Sequence, residues 1–401
     1  METALFDDIT VLEIAPGVAG PYATMQLGDF GARVIKIEPL QGDWTRAMGP
    51  PFADSESSLF LGLNRNKQSV ALDVTVPEGL EILQQLIPRV DVLVLDLLPA
   101  ERQARHLTYA DLSALNPKLI YCAITPFGNQ GPMANQPGSE LVLQAVSGYT
   151  RYVGEPGGEP VRVGADIAGI NTAIFVYQAI VAALIARQHS GVGQEVQVSQ
   201  LGSLLTTKTI MLGAQNNPDE WDGFHLLSTT DGPEHGWQTQ DRPITFDFGT
   251  SPDGWQAFCR RVGLEHLIDD PRFEDWYRTM CLGAEAQQLR HEYERGFADK
   301  PSDELIEMIR ELGGNAFPYL DYEMVLASEQ VESLNILEDV PQPNGEILRM
   351  IGFPWQFSDI QPQVRSAAPR LGADTAAVLQ ELGWTAERCQ GLRQQSIVGM
   401  P

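Results

Sequence analysis

The chain has 401 residues and a net charge of −26, from 27 Lys and Arg against 53 Asp and Glu. This length predicts two or three domains, and a hydrophobic content of 43% is ample for a large core. Nucleic acids and anionic membranes are bound by basic surfaces, so we expect neither as a partner.

The cysteines and the N-terminal residues indicate a cytoplasmic protein. The four cysteines are far apart and form no CxxC pair, which favours free thiols. The N-terminal stretch METALFDDIT is acidic and lacks the apolar segment of a secretory signal. The longest apolar run, 173–186, is shorter than the roughly 18 residues of a membrane span.

The first elements of the chain predict a strand–helix–strand unit. Residues 9–15 (ITVLEIA) favour a strand, 16–21 a turn, 22–30 a helix, and 33–38 (RVIKIE) a second strand. Strands joined in this way run parallel, with a right-handed crossover. The glycines of the turn lack the GxGxxG spacing, which argues against a nicotinamide site.

A polar loop and two further strands follow. Residues 63–73 (LNRNKQSVALD) predict a loop that enters a short strand, where Arg65 and Lys67 either meet an anion or lie in a solvated turn. Residues 77–86 predict an amphipathic helix with Pro in its first turn. Residues 90–97 (VDVLVLDL) form a near-continuous apolar run, which is typical of a strand buried on both faces.

The segment 159–200 predicts a loop, a long helix and a strand. Asp166 is a good N-cap residue for the helix. Residues 167–188 are apolar almost all round, which predicts burial on most faces of the helix. Val196 and Val198 then alternate with polar neighbours, as expected of a strand.

Composition divides the rest of the chain. We expect an α/β large domain that begins with residues 1–205, followed by a polar linker at 206–242. Residues 243–320 predict a smaller α+β domain, and 321–401 return the chain to the large domain.

The segment 159–200 resembles the signature of the class III CoA-transferase (CaiB/BaiF) family. The residues that carry the resemblance are Pro160, Arg162-Val163-Gly164, Ala183-Leu184, Arg187 and Gly191-Val192-Gly193-Gln194. The early LGDFGARVIKIEP and the late APRLG also match, so the resemblance covers nearly the whole chain. It implies a Rossmann-like parallel-sheet large domain, a smaller α+β domain, and a dimer of two interlocked ring-shaped chains.

The resemblance also indicates that a catalytic group is missing. In the family, an aspartate attacks the thioester of an acyl-CoA, and a mixed anhydride and then an enzyme-bound CoA thioester follow. The pattern, aligned without a gap, places this aspartate at Gly169, which has no side chain. The implied substrate is a CoA thioester, and we expect neither a permanently bound cofactor nor a metal.

Two carboxylates remain as alternative nucleophiles. Asp166 lies one helical turn before Gly169, about 4–5 Å along the axis, although a helix cap is the more typical role. The family has Asp or Glu at position 140, and in the Glu members that carboxylate lies near the acyl group. Glu140 is therefore either a site residue or a helix-start carboxylate that faces the helix dipole.

A second functional motif of the family is altered. Its Glu-Asn-Phe-x-Pro-Gly, whose Asn-Phe pair contacts CoA, corresponds to residues 95–100 (LDLLPA). The arginine that the family places near the CoA phosphates falls at Ala104, and an aspartate at position 96 disfavours a polyanion. By resemblance, the CoA-binding positions are Leu72, Asp96, Leu97, Arg105 and Glu140.

These departures imply the aspartate-lacking subunit of a heteromeric CoA-transferase, inactive alone. Its partner would be a paralogous subunit that keeps the aspartate, as in the benzylsuccinate CoA-transferase of anaerobic toluene breakdown. The donor would be succinyl-CoA and the acceptor a substituted dicarboxylic acid. Three alternatives stay open: a self-sufficient transferase that uses Asp166 or Glu140, an acyl-CoA racemase or isomerase, and a non-enzymatic assembly protein.

Overall fold

The chain divides into two compact units. A computed structural model describes residues 4–52, 56–151, 159–209, 236–248, 252–271 and 291–401. The first unit comprises Met1–Ser147, Val163–Thr207 and Leu334–Pro401, and the second comprises Gly148–Arg162 and Lys208–Ser333. Most of the predicted linker, 206–242, lies outside the described residues, as does Cys281.

The secondary structure alternates between strands and helices in the N-terminal half. The strands are β1 (Thr10–Ile14), β2 (Arg33–Glu38), β3 (Lys67–Leu72), β4 (Val92–Asp96), β5 (Ile120–Thr125), β6 (Gln194–Ser199), β7 (Ile244–Asp247), β8 (Asn315–Pro318), β9 (Leu337–Pro341), β10 (Ile347–Ile351) and β11 (Val398–Gly399). The main helices are α1 (Ala19–Asp29), α2 (Ser58–Leu63), α3 (Pro77–Leu86), α4 (Pro99–Ala104), α5 (Tyr109–Ser113), α6 (Glu140–Val146), α7 (Ile167–Ser190), α8 (Gln200–Thr207), α9 (Pro252–Arg261), α10 (Ser302–Glu311), α11 (Tyr322–Leu326), α12 (Glu329–Leu334), α13 (Thr375–Glu381) and α14 (Ala386–Gln394).

The first unit is built on a seven-stranded sheet with the strand order β11-β3-β2-β1-β4-β5-β6. The strands β1 to β6 are parallel, and only β11 runs antiparallel to its neighbour β3. The predicted parallel sheet is therefore confirmed. The order reverses between β1 and β4, and in open α/β sheets this reversal opens a crevice at the carboxyl ends of the strands.

Apolar side chains on both faces of the sheet form two cores. One face carries Leu12, Ile35 and Leu93, which pack with residues of α3, α13 and α14. The opposite face carries Val11 and Val94, which pack with residues of α1 and α7. Successive strand residues point to opposite faces, so a strand in the middle of three layers is largely apolar, as in VLVLD and IYCAIT, each of which ends in one polar residue.

Helix α7 differs from the prediction that most of its faces are buried. Its buried residues follow a single stripe: Ala168, Gly169, Thr172, Ala173, Val176, Ile180, Ala183 and Leu184. On the other side, Ile174 and Ile185 are 39% and 52% exposed. By length and composition, this 24-residue helix could cross a membrane. This was not predicted from the sequence, because only the shorter apolar run at 173–186 was considered. Its packing against the sheet identifies it as a core helix of the first unit.

The second unit has its own core and an antiparallel pair of strands, β7 and β8. Aromatic rings dominate this core, where Phe246, Phe258 and Phe297 pack with Trp237 and Tyr293. Helices α9 and α10 supply further buried residues. The expected combination of helices with a small antiparallel sheet is present here.

Candidate active site

A cavity of about 770 Å³ lies in the first unit, where β1, β4 and β5 end. This is the crevice that the reversal of strand order predicts. The residues that line it are Pro16, Gly17, Val18, Ala19, Trp44, Asp96, Leu98, Glu101, Pro126, Pro137, Gly138, Ser139, Glu140, Leu141, Asp166, Gly169 and Gln200. Four of the predicted site residues, Asp96, Glu140, Asp166 and Gly169, thus share one cavity.

The turn after β1 forms one wall of the cavity and is held by Asp43. The backbone N–H of Gly17 lies 3.2 Å from both carboxylate oxygens of Asp43. The Trp44 ring packs against this turn, and a Cβ added to Gly17 would lie 3.0 Å from Trp44 Cζ2. Gly17 has φ +83°, a conformation that favours glycine. Trp44 is 52% exposed and presents an aromatic surface to the cavity.

A buried network of charges lies behind this wall. Lys36 Nζ is 2.6 Å from Glu13 and 2.9 Å from Asp43, and Lys67 Nζ is 2.8 Å from the other oxygen of Glu13. Burial favours the neutral form of Glu13, but the two lysines outweigh it and lower the pKa of this carboxyl. Burial lowers the pKa of Lys67 to about 8, against the pull of Glu13. Lys67 is therefore fully engaged inside the protein, which excludes both the solvated turn and a free anion-binding role.

Glu140 caps a helix other than its own. It is the first residue of α6, yet its carboxylate accepts hydrogen bonds from the backbone N–H groups of Ala168 and Gly169, at 2.9 and 3.1 Å. Gln144 Nε2 donates a third, at 2.9 Å. The first N–H groups of a helix have no intrahelical partner and carry a partial positive charge, so this carboxylate stabilises the N-terminus of α7.

Asp166 occupies the N-cap position of α7, but the prediction that its side chain caps the helix is wrong. The backbone C=O of Asp166 accepts from Ile170 N at 2.9 Å, while its side chain makes no capping hydrogen bond. The donors that it would serve are already occupied by Glu140. The Asp166 carboxylate is left exposed at the edge of the cavity.

Gly169 lies against the β1–α1 turn, with no room for a side chain. An ideal Cβ on Gly169 would lie 2.8 Å from Val18 Cβ and 2.9 Å from Val18 Cγ1, closer than carbon atoms pack. Val18 thus fills the space next to the position at which the resemblance expects a nucleophile. The described cavity offers no side chain from position 169.

Asp96 is the cavity residue with the most perturbed titration. It ends β4 and is partly buried in the cavity wall. Burial raises the pKa of Asp96 to about 7; the Glu101 carboxylate adds to the effect and the Arg102 guanidinium opposes it. A carboxyl with this pKa can hold or release a proton near neutral pH.

Three predicted CoA-binding residues do not line the cavity. Leu72 is 1% exposed and packs in the core between the sheet and the C-terminal helices. Leu97 packs beside the same core, and Arg105 lies 3.8 Å from Glu101 in an ion pair on α4. Arg102, one turn earlier, is 5% exposed and donates to Asn129 Oδ1 at 2.5 Å.

Val18, Trp44 and Glu101 line the cavity but were not singled out in the sequence. Val18 lies in the turn that follows β1, and turns at the carboxyl ends of parallel strands line the crevice of such sheets. Trp44 is an exposed tryptophan in a short 3-10 turn, Trp44–Ala47. The one feature of the sequence that could have predicted a cavity residue here is the turn after the first strand, which contains Val18. Among the described residues, no group of three or more His, Cys, Asp or Glu could hold a metal ion.

Comparison with known proteins identifies a family and several similar proteins. The model of the family described as CoA-transferase family III matches residues 6–375. Succinyl-CoA:glutarate CoA-transferase of Mus musculus is 30% identical over 382 residues, which cover 94% of this chain and 86% of that protein. Succinate–glutarate CoA-transferase of Agrobacterium fabrum is 30% identical over 387 residues, which cover 93% of this chain and 94% of that protein.

A solved structure shares the fold over almost the whole chain. The crystal structure of a CAIB/BAIF family protein from Brucella suis superimposes with a TM-score of 0.84 at 28% sequence identity. The match covers 95% of this chain and 100% of that one.

Proposed function

The chain belongs to CoA-transferase family III, and we propose that it is the subunit without a nucleophile in a heteromeric enzyme of that family. Acyl-CoA transfer is the activity that family membership supports in general. The observation that carries the finer proposal is the contact between Val18 and Gly169. A nucleophilic carboxylate needs a side chain at the reacting position, and here the neighbouring residue fills that space.

The carboxylates that remain are poorly suited to replace it. A positioned nucleophile lowers the barrier because its reacting atom is already held against the thioester. Glu140 is held instead by two backbone N–H groups and Gln144, so both its oxygens are engaged. These hydrogen bonds stabilise the charged carboxylate and reduce its nucleophilicity. In the heteromer, the aspartate of the paralogous subunit would attack the thioester.

Exposed apolar side chains support the presence of a partner chain. On α6, Leu141, Val142 and Val146 are 54%, 43% and 48% exposed, and on α7 Ile174 and Ile185 are exposed as well. Exposed apolar groups at helical spacing are unfavourable in water and are typical of a surface that another chain covers. We propose that the paralogous subunit covers them in an interlocked dimer.

The proposed reaction moves CoA from succinyl-CoA to a carboxylic acid such as a substituted succinate of the benzylsuccinate type. The partner's carboxylate would attack the thioester carbonyl and release the CoA thiolate, which then attacks the enzyme anhydride and releases succinate. The acceptor acid reverses these two steps and leaves as its CoA thioester. Two of the similar proteins are a succinyl-CoA:glutarate and a succinate–glutarate CoA-transferase, which supports dicarboxylic acids as the substrate class. The described cysteines, Cys122, Cys259 and Cys389, are free thiols, which supports the proposed cytoplasmic location.

Expression with and without a partner tests the proposal. The purified chain should show no CoA exchange between succinyl-CoA and benzylsuccinate, and mass spectrometry should find no acyl or CoA adduct on it. Co-expression with a paralogue that has Asp at the position of Gly169 should give a stable complex and turnover. Replacing that aspartate in the partner should remove the activity. Turnover and a trapped adduct on this chain alone would overturn the proposal.

A second candidate is a self-sufficient transferase that uses Asp166. Its support is that the Asp166 carboxylate lines the cavity and makes no capping hydrogen bond. In that case the isolated chain would be active and Asp166→Asn would abolish both turnover and adduct. Glu195→Gln, which changes an exposed carboxylate on β6, is the matched control and should have no effect.

A further inference from the structure

Asp96 places a carboxyl group in the cavity lining, and no described cation forms an ion pair with it. It lies at the end of β4, beside the point where the strand order reverses. No described residue donates a hydrogen bond to its carboxylate or forms an ion pair with it, whereas the buried carboxylates behind the cavity wall all have cationic partners. No ion pair with a described residue therefore neutralises this carboxylate when it is ionised.

Further carboxylates line the cavity around Asp96. Glu101 on α4 accepts a hydrogen bond from Leu98 N at 2.9 Å and lies 3.8 Å from Arg105, which does not line the cavity. Glu140 on α6 and Asp166 before α7 also line the cavity. The Arg102 guanidinium, which lowers the pKa of Asp96 through its charge, donates its hydrogen bonds to Asn129 and the Tyr121 hydroxyl.

The described lining residues therefore include four carboxylates and neither Lys nor Arg. Like charges repel one another more strongly where water is partly excluded. CoA carries a diphosphate and a further phosphate, and such groups are normally held by Arg, Lys or helix N-termini. The N-terminus of α7 is not available for this, since Glu140 already accepts from its first N–H groups.

We propose that Asp96 is a specificity-determining residue that keeps CoA, as a polyphosphate, out of this chain's own cavity. The inference rests on the proposed function, in which the partner's site holds the thioester. The cavity remains open to small ligands without phosphates, such as the thiol arm of CoA or an uncharged acyl group. Two similar but unequal cavities in one heteromer would then sort their ligands by charge.

The exclusion should depend on pH. Since burial raises the pKa of Asp96 to about 7, the carboxyl is largely neutral at about pH 6 and largely ionised at about pH 8.5. Exclusion of an anion should therefore strengthen as the pH rises through neutrality. The other charged groups around Asp96 are the cavity carboxylates Glu101, Glu140 and Asp166 and the Arg102 guanidinium.

Calorimetric titration of the isolated chain with CoA tests the proposal. Asp96→Asn keeps the size of the side chain and removes its charge. At about pH 8.5 we expect this variant to bind CoA at least about tenfold more tightly than the wild type, and at about pH 6 within about twofold. Pantetheine, which has the thiol arm without phosphates, should bind wild type and variant equally. Glu195→Gln should leave CoA binding unchanged, because Glu195 is exposed and lies outside the cavity.

Several results would overturn the proposal. CoA affinity at about pH 8.5 could be equal in wild type and Asp96→Asn, including the case in which neither binds. The affinity for pantetheine could rise in Asp96→Asn as much as the affinity for CoA, which would mean that Asp96 acts through shape and not through charge. The control variant could tighten binding to the same extent, which would mean a general effect of net charge. None of these readouts requires turnover, so they are distinguishable from failure of the proposed subunit role, which activity of the isolated chain would reveal.

Discussion

Val18 occupies the space that a side chain at Gly169 would need, although the two residues lie far apart in the sequence. The distance from an ideal Cβ on Gly169 to Val18 Cβ is 2.8 Å, so even the first atom of a side chain is excluded. A contact through Cβ cannot be relieved by rotating the valine. We therefore expect the stability effects of substitutions at Val18 and Gly169 to depend on each other.

Gly169→Asp alone should destabilise the chain by about 1–3 kcal/mol, the usual cost of overpacking a core. Val18→Gly removes the clashing Cβ, so the double variant Val18→Gly/Gly169→Asp should cost less than the sum of the single changes. Urea unfolding of the four forms gives the coupling energy. A coupling below about 0.5 kcal/mol would contradict the steric account, because independent sites add within that range.

Adduct formation should follow the same pattern. With an acyl-pantetheine thioester as donor, which lacks the phosphates that Asp96 is proposed to keep out, we expect a covalent acyl adduct, detected by intact mass, in the double variant and not in Gly169→Asp alone. The reason is that only the double variant has space for a carboxylate aligned with the cavity. Val18→Gly by itself is the control and should form no adduct. An adduct on that control would point to Asp166 as the reacting group.

Glu140→Ala should destabilise the chain by about 1–2 kcal/mol because it removes the acceptor of the N–H groups of Ala168 and Gly169. Asp166→Ala should change stability by less than about 0.5 kcal/mol, since its side chain makes no capping hydrogen bond. Denaturant midpoints of the two variants provide the comparison. A larger loss of stability in Asp166→Ala than in Glu140→Ala would show that Asp166, and not Glu140, caps α7.

Glu13→Gln should cost about 3–5 kcal/mol, because it leaves Lys36 and Lys67 buried with one shared counter-charge removed. The matched control is Glu381→Gln, which breaks an ion pair with Arg33 whose side chains are 38% and 50% exposed. An exposed pair of this kind contributes about 0–1 kcal/mol. Equal losses in the two variants would refute the structural role of the buried network.

Asp96→Asn should stabilise the chain at about pH 8 and leave it unchanged at about pH 4. The folded pKa lies above the ordinary value of 3.8, so the folded state binds the proton more tightly and loses stability as the pH rises from about 4 to about 7. Asn cannot ionise and avoids this loss, which is at most about 4 kcal/mol at about 1.4 kcal/mol per unit. Urea unfolding at both pH values measures it. If wild type and variant differ in free energy of unfolding by the same amount at both pH values, the pKa of Asp96 is not raised in the folded state.

Local patterns predicted most of the sheet. The apolar runs at β4 and β5 and the strand–helix–strand unit at the N-terminus appear where periodicity places them. The helix after the first turn begins at Ala19, within the residues expected to form that turn. Periodicity could not indicate β11, because a two-residue strand has no pattern and forms only by pairing with β3.

The site was less predictable because its geometry depends on contacts between distant residues. Motif spacing singled out Asp96, Glu140, Asp166 and Gly169, and these four residues line one cavity. It could not show that Glu140 serves as the cap of α7, since the donors are 28 and 29 residues away in the chain. Nor could composition show that Arg105 pairs with Glu101 and does not itself line the cavity.

The first unit is interrupted by the second, and this has a consequence for biosynthesis. Its last segment, Leu334–Pro401, leaves the ribosome after the whole of the smaller unit has been made. Until then, the backbone of β3 lacks its antiparallel neighbour, and an unpaired sheet edge is prone to join other chains. A nascent polypeptide will thus carry a finished small unit and an unfinished large one, so its yield in cells should depend on chaperone supply during the final stage of translation.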